Sequence, residues 1–443
     1  MDDSPPRAPF LRPAIAAVAA GALVLRVVYI LGWKLDQPLR GDAVYYSWQA
    51  EVLADGKGFV RPYFGGPAAD HPPLTSLAMT PFAWATDSLT TRRLAMAVIG
   101  VAVVIACAYL GHLLAGPRAG AIAGVIAAVY PNLWMNDALI MSDTLTALFV
   151  ALFLIAIYRW RDRPSVRNAG LVGLAAGLGT LTRAEIPLLV VLVAVPVMLS
   201  VRSLARADRF RSLATTAAVS GLVIAPWVVP NLVRFDRPVL LSTNDGITLV
   251  GANCDRTYED VVGFWDLECA PPVQGDQSVQ SGEYRRLAVD YARDHLDRVP
   301  AVVAARIGRV WSAYHPFDMA FVNQGEGREP WASRLGVWSY WALLPFVAAG
   351  WWILRQRRRP TWPLVAPFVM VTIVAAAFYG ITRFRVPAEV SIVVLAAVAV
   401  DRWLPLSVAT QSTDVPTGIA ARPSTARSAS VSPIAARSIT GDV

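Results

Sequence analysis

Long apolar runs separated by short polar segments constrain this chain more than any other feature. A helix needs about 20 predominantly apolar residues to cross a bilayer, and runs near that length recur between residues 14 and 404. Only 16% of the residues are charged, whereas soluble proteins carry about 25%. The sequence therefore predicts an all-α polytopic membrane protein.

About ten transmembrane helices are predicted. The segments are residues 14–33, 93–115, 119–133, 144–158, 169–181, 186–201, 213–229, 335–354, 362–379 and 386–404. Several are short, so they would need neighbouring helices or local thinning of the bilayer. The first run is too long for the apolar region of an ordinary signal peptide, and we expect it to remain as the first helix.

Arginines predict how these spans are oriented. Three arginine clusters fall in loops that the predicted spans place on the same side as the N-terminal residues 1–13. They are Arg159, Arg161, Arg163 and Arg167, then Arg202, Arg206, Arg209 and Arg211, then Arg355, Arg357, Arg358 and Arg359. Because positive loops face the cytoplasm, we predict a cytoplasmic N-terminus. Orientation also explains the net charge of +8 better than nucleic-acid binding does.

One transmembrane domain, residues 14–404, is predicted to carry two long segments outside the membrane. Outer loop 1, residues 34–92, contains an apolar stretch at 74–84 that is too short to span and is predicted to form an interfacial helix. Outer loop 2, residues 230–334, contains a predicted helix at 283–295. The tail, residues 405–443, is rich in Ser, Thr, Ala, Arg and Pro, and it is predicted to be disordered and cytoplasmic.

Two of the three cysteines lie in outer loop 2. Cys254 and Cys269 are fifteen residues apart, and in an oxidising compartment such a pair would form a disulfide. The alternative is two unpaired, half-buried thiols.

Two acidic residues are predicted to lie on the outer face. Asp42 follows the first span, in Gly41-Asp42-Ala43-Val44-Tyr45, and Asp143 opens the fourth. Asp42 could act as a general base or anchor a sugar hydroxyl, and burial could raise its pKa toward a useful range. Either residue could instead cap a helix. The pair could also hold a divalent cation, although two carboxylates alone rarely make a metal site.

Three outer-face arginines run against the orientation rule. Arg183 precedes the sixth span together with Glu185, and Arg383 and Arg385 lie in the short turn before the last span. Guanidinium groups bind phosphate bidentately, which would suit a lipid phosphate at this depth. Snorkelling, or ion pairs with Glu185 or Glu389, is the alternative.

Two further residues are candidates for positioning roles. Arg26 lies inside the first span, where a charge usually faces protein or a wet cavity. His71 precedes two prolines in outer loop 1, and its imidazole could contact the acceptor or the Asp42 loop. A structural ion pair for Arg26 and a simple turn for His71 are the alternatives.

The sequence lacks the motifs of nucleotide-binding sites. It contains neither a Walker-type phosphate loop nor a G-x-G-x-x-G after a strand. We therefore expect an activated, membrane-delivered substrate, and no cofactor beyond the divalent cation left open above.

Several short motifs resemble those of the GT-C fold glycosyltransferases, both in their order along the chain and in the side of the membrane on which they are predicted to lie. They resemble especially the branch that contains the protein O-mannosyltransferases and the lipid A aminoarabinose transferase. The matching motifs are Gly41-Asp42-x-x-Tyr45, His71-Pro72-Pro73-Leu74, Ser142-Asp143, Leu181-Thr182-Arg183, Pro226-Trp227 with Asn231, and Arg383-Phe384-Arg385. The similarity extends over about residues 14–404.

The resemblance implies an inverting hexosyl- or pentosyltransferase that takes a sugar from a polyprenyl-phosphate carrier at the outer face of a bacterial inner membrane. Asp42 and Asp143 would be catalytic, Arg183, Arg383 and Arg385 would bind the donor phosphate, and the remaining candidates would position the acceptor or the loops. These are Tyr45, His71, Glu185 and Arg26.

One departure bears on the acceptor. Protein O-mannosyltransferases usually carry an Asp-Glu pair in the first loop, where this chain has Gly41-Asp42. A cell-envelope glycan or lipid is therefore the expected acceptor, in a role in cell-wall biogenesis. A transporter or flippase of lipid-linked sugars, or a non-catalytic subunit of envelope assembly, is the alternative. A transporter or flippase would be expected to contain internal repeats and broken helices, and neither is clear in the sequence.

Overall fold

The computed structural model describes residues 12–35, 37–61, 65–318 and 322–403. These ranges are helical almost throughout, and the one β-pairing within them is an isolated bridge between Val60 and Pro67. The principal helices are α1 (Arg12–Trp33), α2 (Asp42–Ala54), α3 (Leu74–Ala85), α4 (Leu89–Ala115), α5 (Pro117–Val129), α6 (Ser142–Asp162), α7 (Val166–Thr180), α8 (Pro187–Ser200), α9 (Arg206–Arg234), α10 (Asn244–Gly251), α11 (Gln277–Asp294), α12 (Val299–Val310), α13 (Pro330–Gln356), α14 (Trp362–Ala377) and α15 (Val386–Trp403). The all-α prediction is confirmed. The predicted tail, 405–443, and nearly all of the N-terminal segment, 1–13, lie outside the described residues.

Each of the ten predicted spans corresponds to a helix, but not all of these helices meet the requirements of a span. Among the described residues, five are long and apolar enough to cross a membrane: α1, α4, α6, α9 and α13. Three shorter apolar helices, α5, α8 and α14, have 10–17 residues. The protein therefore has several apolar helices of membrane type, and the number ten stays a prediction.

The predicted span 119–133 is wrong in its last four residues. Helix α5 ends at Val129, Tyr130 is extended with ψ of 114°, and a separate short turn, Pro131–Trp134, follows. Proline disfavours the helical conformation in the residue before it and lacks the backbone N–H that would continue the helix. Pro131 accounts for the break.

Helix α15 lies at the centre of the bundle. Its residues from Val386 to Ala399 are all buried, and it packs against α4, α5, α6 and α13. A helix surrounded on all sides by other helices can carry polar residues that lipid would not accept. Glu389 is such a residue, and it pairs with Arg385 at 2.6 Å.

The two predicted outer segments carry short helices, as expected. Outer loop 1 contains α2 and α3, and α3 begins at the predicted residue, Leu74. Outer loop 2 contains α10, α11 and α12. Its boundaries differ from the prediction, since α9 continues to Arg234 and α13 already begins at Pro330.

Cys254 and Cys269 form a disulfide in outer loop 2. Closing a loop of this length stabilises the folded chain by about 3 kcal/mol, because it lowers the entropy of the unfolded chain. Replacing both cysteines by serine should therefore accelerate hydrogen exchange in α10 and α11. Reduction of the wild-type protein should reproduce the effect. Identical exchange with and without reductant would contradict this expectation.

Candidate active site

A cavity of about 1130 Å³ opens where the two outer segments meet the bundle. Its wall combines the start of α2, the turn before α8, the end of α14 and the short helical turns Asn323–Glu326 and Thr382–Arg385. The charged side chains on it include Asp42, Arg183, Glu185, Glu326 and Arg383. Segments far apart in sequence thus bring ionised groups into one space.

Asp42 is the first residue of α2, and its carboxylate does not cap that helix. Gly41 occupies the N-cap position with φ of 56°, a conformation that glycine adopts without strain. The Asp42 carboxylate instead accepts a hydrogen bond of 2.6 Å from Arg383. His71 Nε2 lies 3.6 Å from its other oxygen. The capping alternative for Asp42 is therefore wrong, and the carboxylate faces the cavity.

The charge state of Asp42 follows from these neighbours. Burial raises the pKa of Asp42, but Arg383 and His71 together outweigh burial and hold the pKa well below its usual range. The charge of Arg383 is the largest single cause that lowers it. Asp42 is therefore a carboxylate at neutral pH, and its pKa is shifted in the direction opposite to the one expected from burial alone.

This shift predicts how stability depends on pH. A depressed pKa means that the contribution of Asp42 to stability is present above the pKa of an unfolded aspartate, about 3.9, and is lost only as the pH falls through the lower folded value. In a His71→Gln background, which leaves Arg383 as the cationic partner of the carboxylate, we expect the stability difference caused by Asp42→Asn to stay constant between about pH 7 and pH 5 in thermal unfolding. A difference that disappears in that interval would contradict the assignment.

Arg383 joins two acidic residues across the cavity. One end of its guanidinium group binds Asp42 and another binds Glu326, and only 7% of its side chain is exposed. Glu326 also pairs with Arg328, which is almost completely buried. The guanidinium of Arg383 is thus fixed from two sides.

Asp143 lies behind this pair and does not line the cavity. Its side chain is fully buried, with Arg183 Nη1 at 3.5 Å and Arg328 Nη2 at 3.6 Å. No side chain caps α6 by a hydrogen bond at its N-terminus, so Asp143 interacts with the arginines rather than with the helix end.

Arg183 completes the charged series. It lines the cavity, pairs with Glu185, and lies with its guanidinium carbon 5.0 Å from the centre of the Phe384 ring. The turn that carries it is tied to outer loop 1, because the Leu74 N–H donates to the Leu181 carbonyl at 2.9 Å. These ion pairs form one series in which acidic and basic side chains alternate: Asp42, Arg383, Glu326, Arg328, Asp143, Arg183 and Glu185.

Tyr45 and His71 support the Asp42 loop. The rings of Tyr45 and Tyr46 lie 5.1 and 5.0 Å from the imidazole of His71. His71 and Tyr46 line the cavity, whereas Tyr45 packs behind them. The proximity of His71 to Asp42 matches the predicted contact between that histidine and the Asp42 loop.

Two predicted site residues lie elsewhere. Arg385 is buried, binds Glu389, and places its guanidinium carbon 3.7 Å from the centre of the Tyr340 ring. Arg26 pairs with buried Asp137 at 2.6 Å inside the bundle. Neither side chain lines the cavity, so the structure does not bring them together with Asp42.

Metal ligands do not converge within the part of the chain that the structure describes. No three His, Cys, Asp or Glu side chains there could hold one ion together. Asp42 and Asp143 each face arginines instead.

Glu326 and Arg328 are the site residues that the sequence did not reveal. Both lie in outer loop 2, close to the start of α13, in a stretch without a recognisable motif. The available signal was charge: Glu326, Arg328 and Glu329 cluster immediately before a predicted span.

The fold and a part of the sequence match known membrane glycosyltransferases. Residues 70–233 match the family model described as dolichyl-phosphate-mannose-protein mannosyltransferase. The structure is similar to the archaeal oligosaccharyltransferase AglB from Archaeoglobus fulgidus in complex with an inhibitory peptide and a dolichol-phosphate. The TM-score is 0.51 at 16% identity, over 87% of this chain and 50% of AglB. This chain thus spans about half the length of that enzyme.

A second similar structure is ArnT from Cupriavidus metallidurans bound to undecaprenyl phosphate. Its TM-score is 0.43 at 16% identity, over 88% of this chain and 78% of ArnT. No curated protein matches the chain. The chain has the GT-C fold, as the sequence motifs predicted.

Proposed function

We propose that the protein is a polyprenyl-phosphate-sugar-dependent glycosyltransferase of the bacterial inner membrane. It would move a hexose or pentose to a cell-envelope glycan or lipid at the outer face, with inversion. The observation that carries the proposal is that one cavity is lined by the Asp42 carboxylate, the guanidinium groups of Arg183 and Arg383, and an apolar wall. The match to the mannosyltransferase family model supports it.

The apolar wall suits a lipid-linked donor. Ile373, Val374 and Ala377 from α14 and Leu188 from α8 line the cavity on one side. Ile373 is 46% exposed, so this wall extends to the surface of the helix bundle. A polyprenyl chain could lie along it while its phosphate reaches Arg183 and Arg383.

The chemistry assigned to the site is an in-line displacement. The acceptor oxygen bonds to the anomeric carbon as the bond from that carbon to the carrier phosphate breaks, and the hydroxyl proton passes to Asp42. Arginines stabilise the charge on the departing phosphate, and Asp42 orients the hydroxyl. A weak base suffices when the phosphate leaves early and the sugar carries positive charge, because the hydroxyl proton becomes acidic late in the reaction.

Donor binding must also change the series of ion pairs from Asp42 to Glu185. Arg183 and Arg383 already bind carboxylates, so a donor phosphate has to compete with them. Displacing Asp42 from Arg383 would remove the principal influence that lowers its pKa. The carboxylate would then become a better base when the donor is bound. In this scheme, Asp143 and Glu185 position Arg183, and His71 and Tyr45 position the Asp42 loop.

Transfer from defined donors tests the proposal. Purified protein in vesicles is supplied with radiolabelled polyprenyl-phosphate mannose, glucose or arabinose, together with cell-envelope extract as acceptor. The expected result is label in the acceptor with at least one lipid-linked donor and none with nucleotide sugars. Movement of the donor across the bilayer without transfer would favour a flippase, and the absence of both would overturn the proposal.

Sidedness gives a separate prediction. Lys57→Cys in outer loop 1 should react with a membrane-impermeant maleimide in intact cells, and Arg163→Cys should react only after the membrane is opened. Both positions are exposed, while Cys107 is buried and the other two cysteines are bonded. Labelling of Arg163→Cys in intact cells would contradict the proposed orientation.

A further inference from the structure

We infer that the outer end of the cavity binds a neutral sugar ring of a glycan acceptor, with Trp265 as the surface on which the ring stacks. The inference rests on the proposed transfer reaction and deepens it, because it selects a glycan from the acceptors left open there. Trp265 lines the cavity together with α10 residues of outer loop 2.

A series of aromatic rings connects this end of the cavity to the phosphate-binding arginines. The Trp265 ring lies 6.2 Å from the Tyr379 ring, and Tyr379 lies 4.7 Å from Phe384. Phe384 lies 5.0 Å from the guanidinium carbon of Arg183. All four side chains line the same cavity. A glycan along this wall would direct its terminal sugar toward the charged end, where transfer is proposed.

Trp265 is fixed in place before any ligand binds. Its indole N–H donates to the Ile247 carbonyl at 3.2 Å. Gly251 leaves room for the ring, since a Cβ atom at that position would lie 2.2 Å from the indole nitrogen. A rigid aromatic surface binds a ligand with little loss of conformational entropy.

Polar groups beside Trp265 match the hydroxyls of a sugar. Arg285 donates two hydrogen bonds to the Asp245 carboxylate, at 2.6 and 3.0 Å, and Asp266 lies next to Trp265 on the same wall. The Asp245 and Arg285 side chains are 37% and 48% exposed. Exposed ion pairs contribute little to stability, so this pair matters mainly for the polar atoms that it presents to the cavity.

The combination favours a neutral sugar over other ligands. An aromatic face packs against the C–H face of a pyranose or furanose ring, and neighbouring carboxylate and guanidinium groups bind the hydroxyls at its edge. Asp245 is paired with Arg285, and Asp266 lies 3.1 Å from Arg256, so the carboxylates at this end of the cavity are balanced by arginines, which suits a neutral sugar.

Saturation-transfer NMR tests the inference without requiring turnover. The full chain is placed in nanodiscs, which avoids sugar-based detergents, and is mixed with mannotriose, maltotriose, galactobiose, chitotriose or arabinotriose. At least one of these sugars should receive saturation at its ring protons.

Substitutions of Trp265 test its role in this binding. Trp265→Ala should weaken sugar binding about tenfold, a loss comparable to that of an aromatic stacking contact, while Trp265→Phe should weaken it much less. Trp338→Ala, an exposed tryptophan on α13 outside the cavity, is the matched control and should bind like wild type.

The outcomes separate this inference from the proposed reaction. If no sugar of the panel binds, or if Trp265→Ala binds as well as wild type, the inference is wrong. If a threonine-containing peptide shows Trp265-dependent binding and the sugars do not, the acceptor is a peptide and the inference is also wrong. Asp245→Asn, expected to weaken binding several-fold, serves as the second variant if Trp265→Ala does not fold. Trp265-dependent sugar binding without any transfer would uphold the site while refuting the proposed reaction.

Discussion

Replacing Asp42 by asparagine is expected to lower the rate of sugar transfer about 10²–10⁴-fold, the usual contribution of a general base. The substitution keeps the size of the side chain and removes its charge. Arg383 retains Glu326 as a partner, so the variant should fold. The measurement is single-turnover transfer from a lipid-linked donor in vesicles, with donor binding determined separately.

A matched control distinguishes catalysis from a general effect of charge. Asp290 lies on the exposed face of α11, where its carboxylate pairs with Arg286 at 3.4 Å. Asp290→Asn makes the same chemical change outside the cavity and should transfer sugar like wild type. Transfer by Asp42→Asn at the wild-type rate would show that this carboxylate is not the base.

Replacing Arg383 by glutamine is expected to reduce kcat/KM about 10²–10³-fold, as for the loss of one group that stabilises the developing charge. The loss should appear both in donor affinity, because Arg183 alone would bind the phosphate, and in kcat, because the charge on the departing phosphate grows in the transition state. Arg383→Lys keeps the charge but not the two-pronged geometry, so it should fall between glutamine and wild type.

Folding must be separated from binding in this variant. Loss of Arg383 removes the arginine partner of Asp42, whereas Glu326 keeps Arg328, and breaking a buried pair costs about 3–5 kcal/mol. Arg383→Lys keeps a cation beside Asp42, so it should recover stability relative to Arg383→Gln without fully recovering transfer. Transfer by Arg383→Lys at the wild-type rate would show that Arg383 serves only as a positive charge beside Asp42.

Local sequence patterns predicted much of the architecture. The apolar runs located the helices, and the proline-led start of α3 was predicted to the residue. The prediction of one continuous span over 119–133 was wrong from Tyr130 onward, because hydropathy does not register the break that Pro131 causes. Apolar residues are suited to lipid and to a protein interior alike, so hydropathy does not distinguish the buried α15 from a helix that faces lipid.

The pairing of charges could not be predicted, because it depends on three-dimensional neighbours. Arg383 and Arg385 are two residues apart and look equivalent in sequence, yet one lines the cavity and the other binds Glu389 inside the bundle. The short helical turn that contains them points alternate side chains in different directions. Glu326 reaches Arg383 across a separation of 57 residues, and no local pattern marks that contact.

A structure of the full chain in nanodiscs with bound polyprenyl phosphate tests the central claim most directly. The account predicts that the phosphate lies between the guanidinium groups of Arg183 and Arg383, with the polyprenyl chain along α14 near Ile373. It also predicts that the Asp42–Arg383 hydrogen bond, 2.6 Å in the structure described above, is lengthened or broken. A phosphate bound outside this cavity, with the Asp42–Arg383 pair intact, would contradict it.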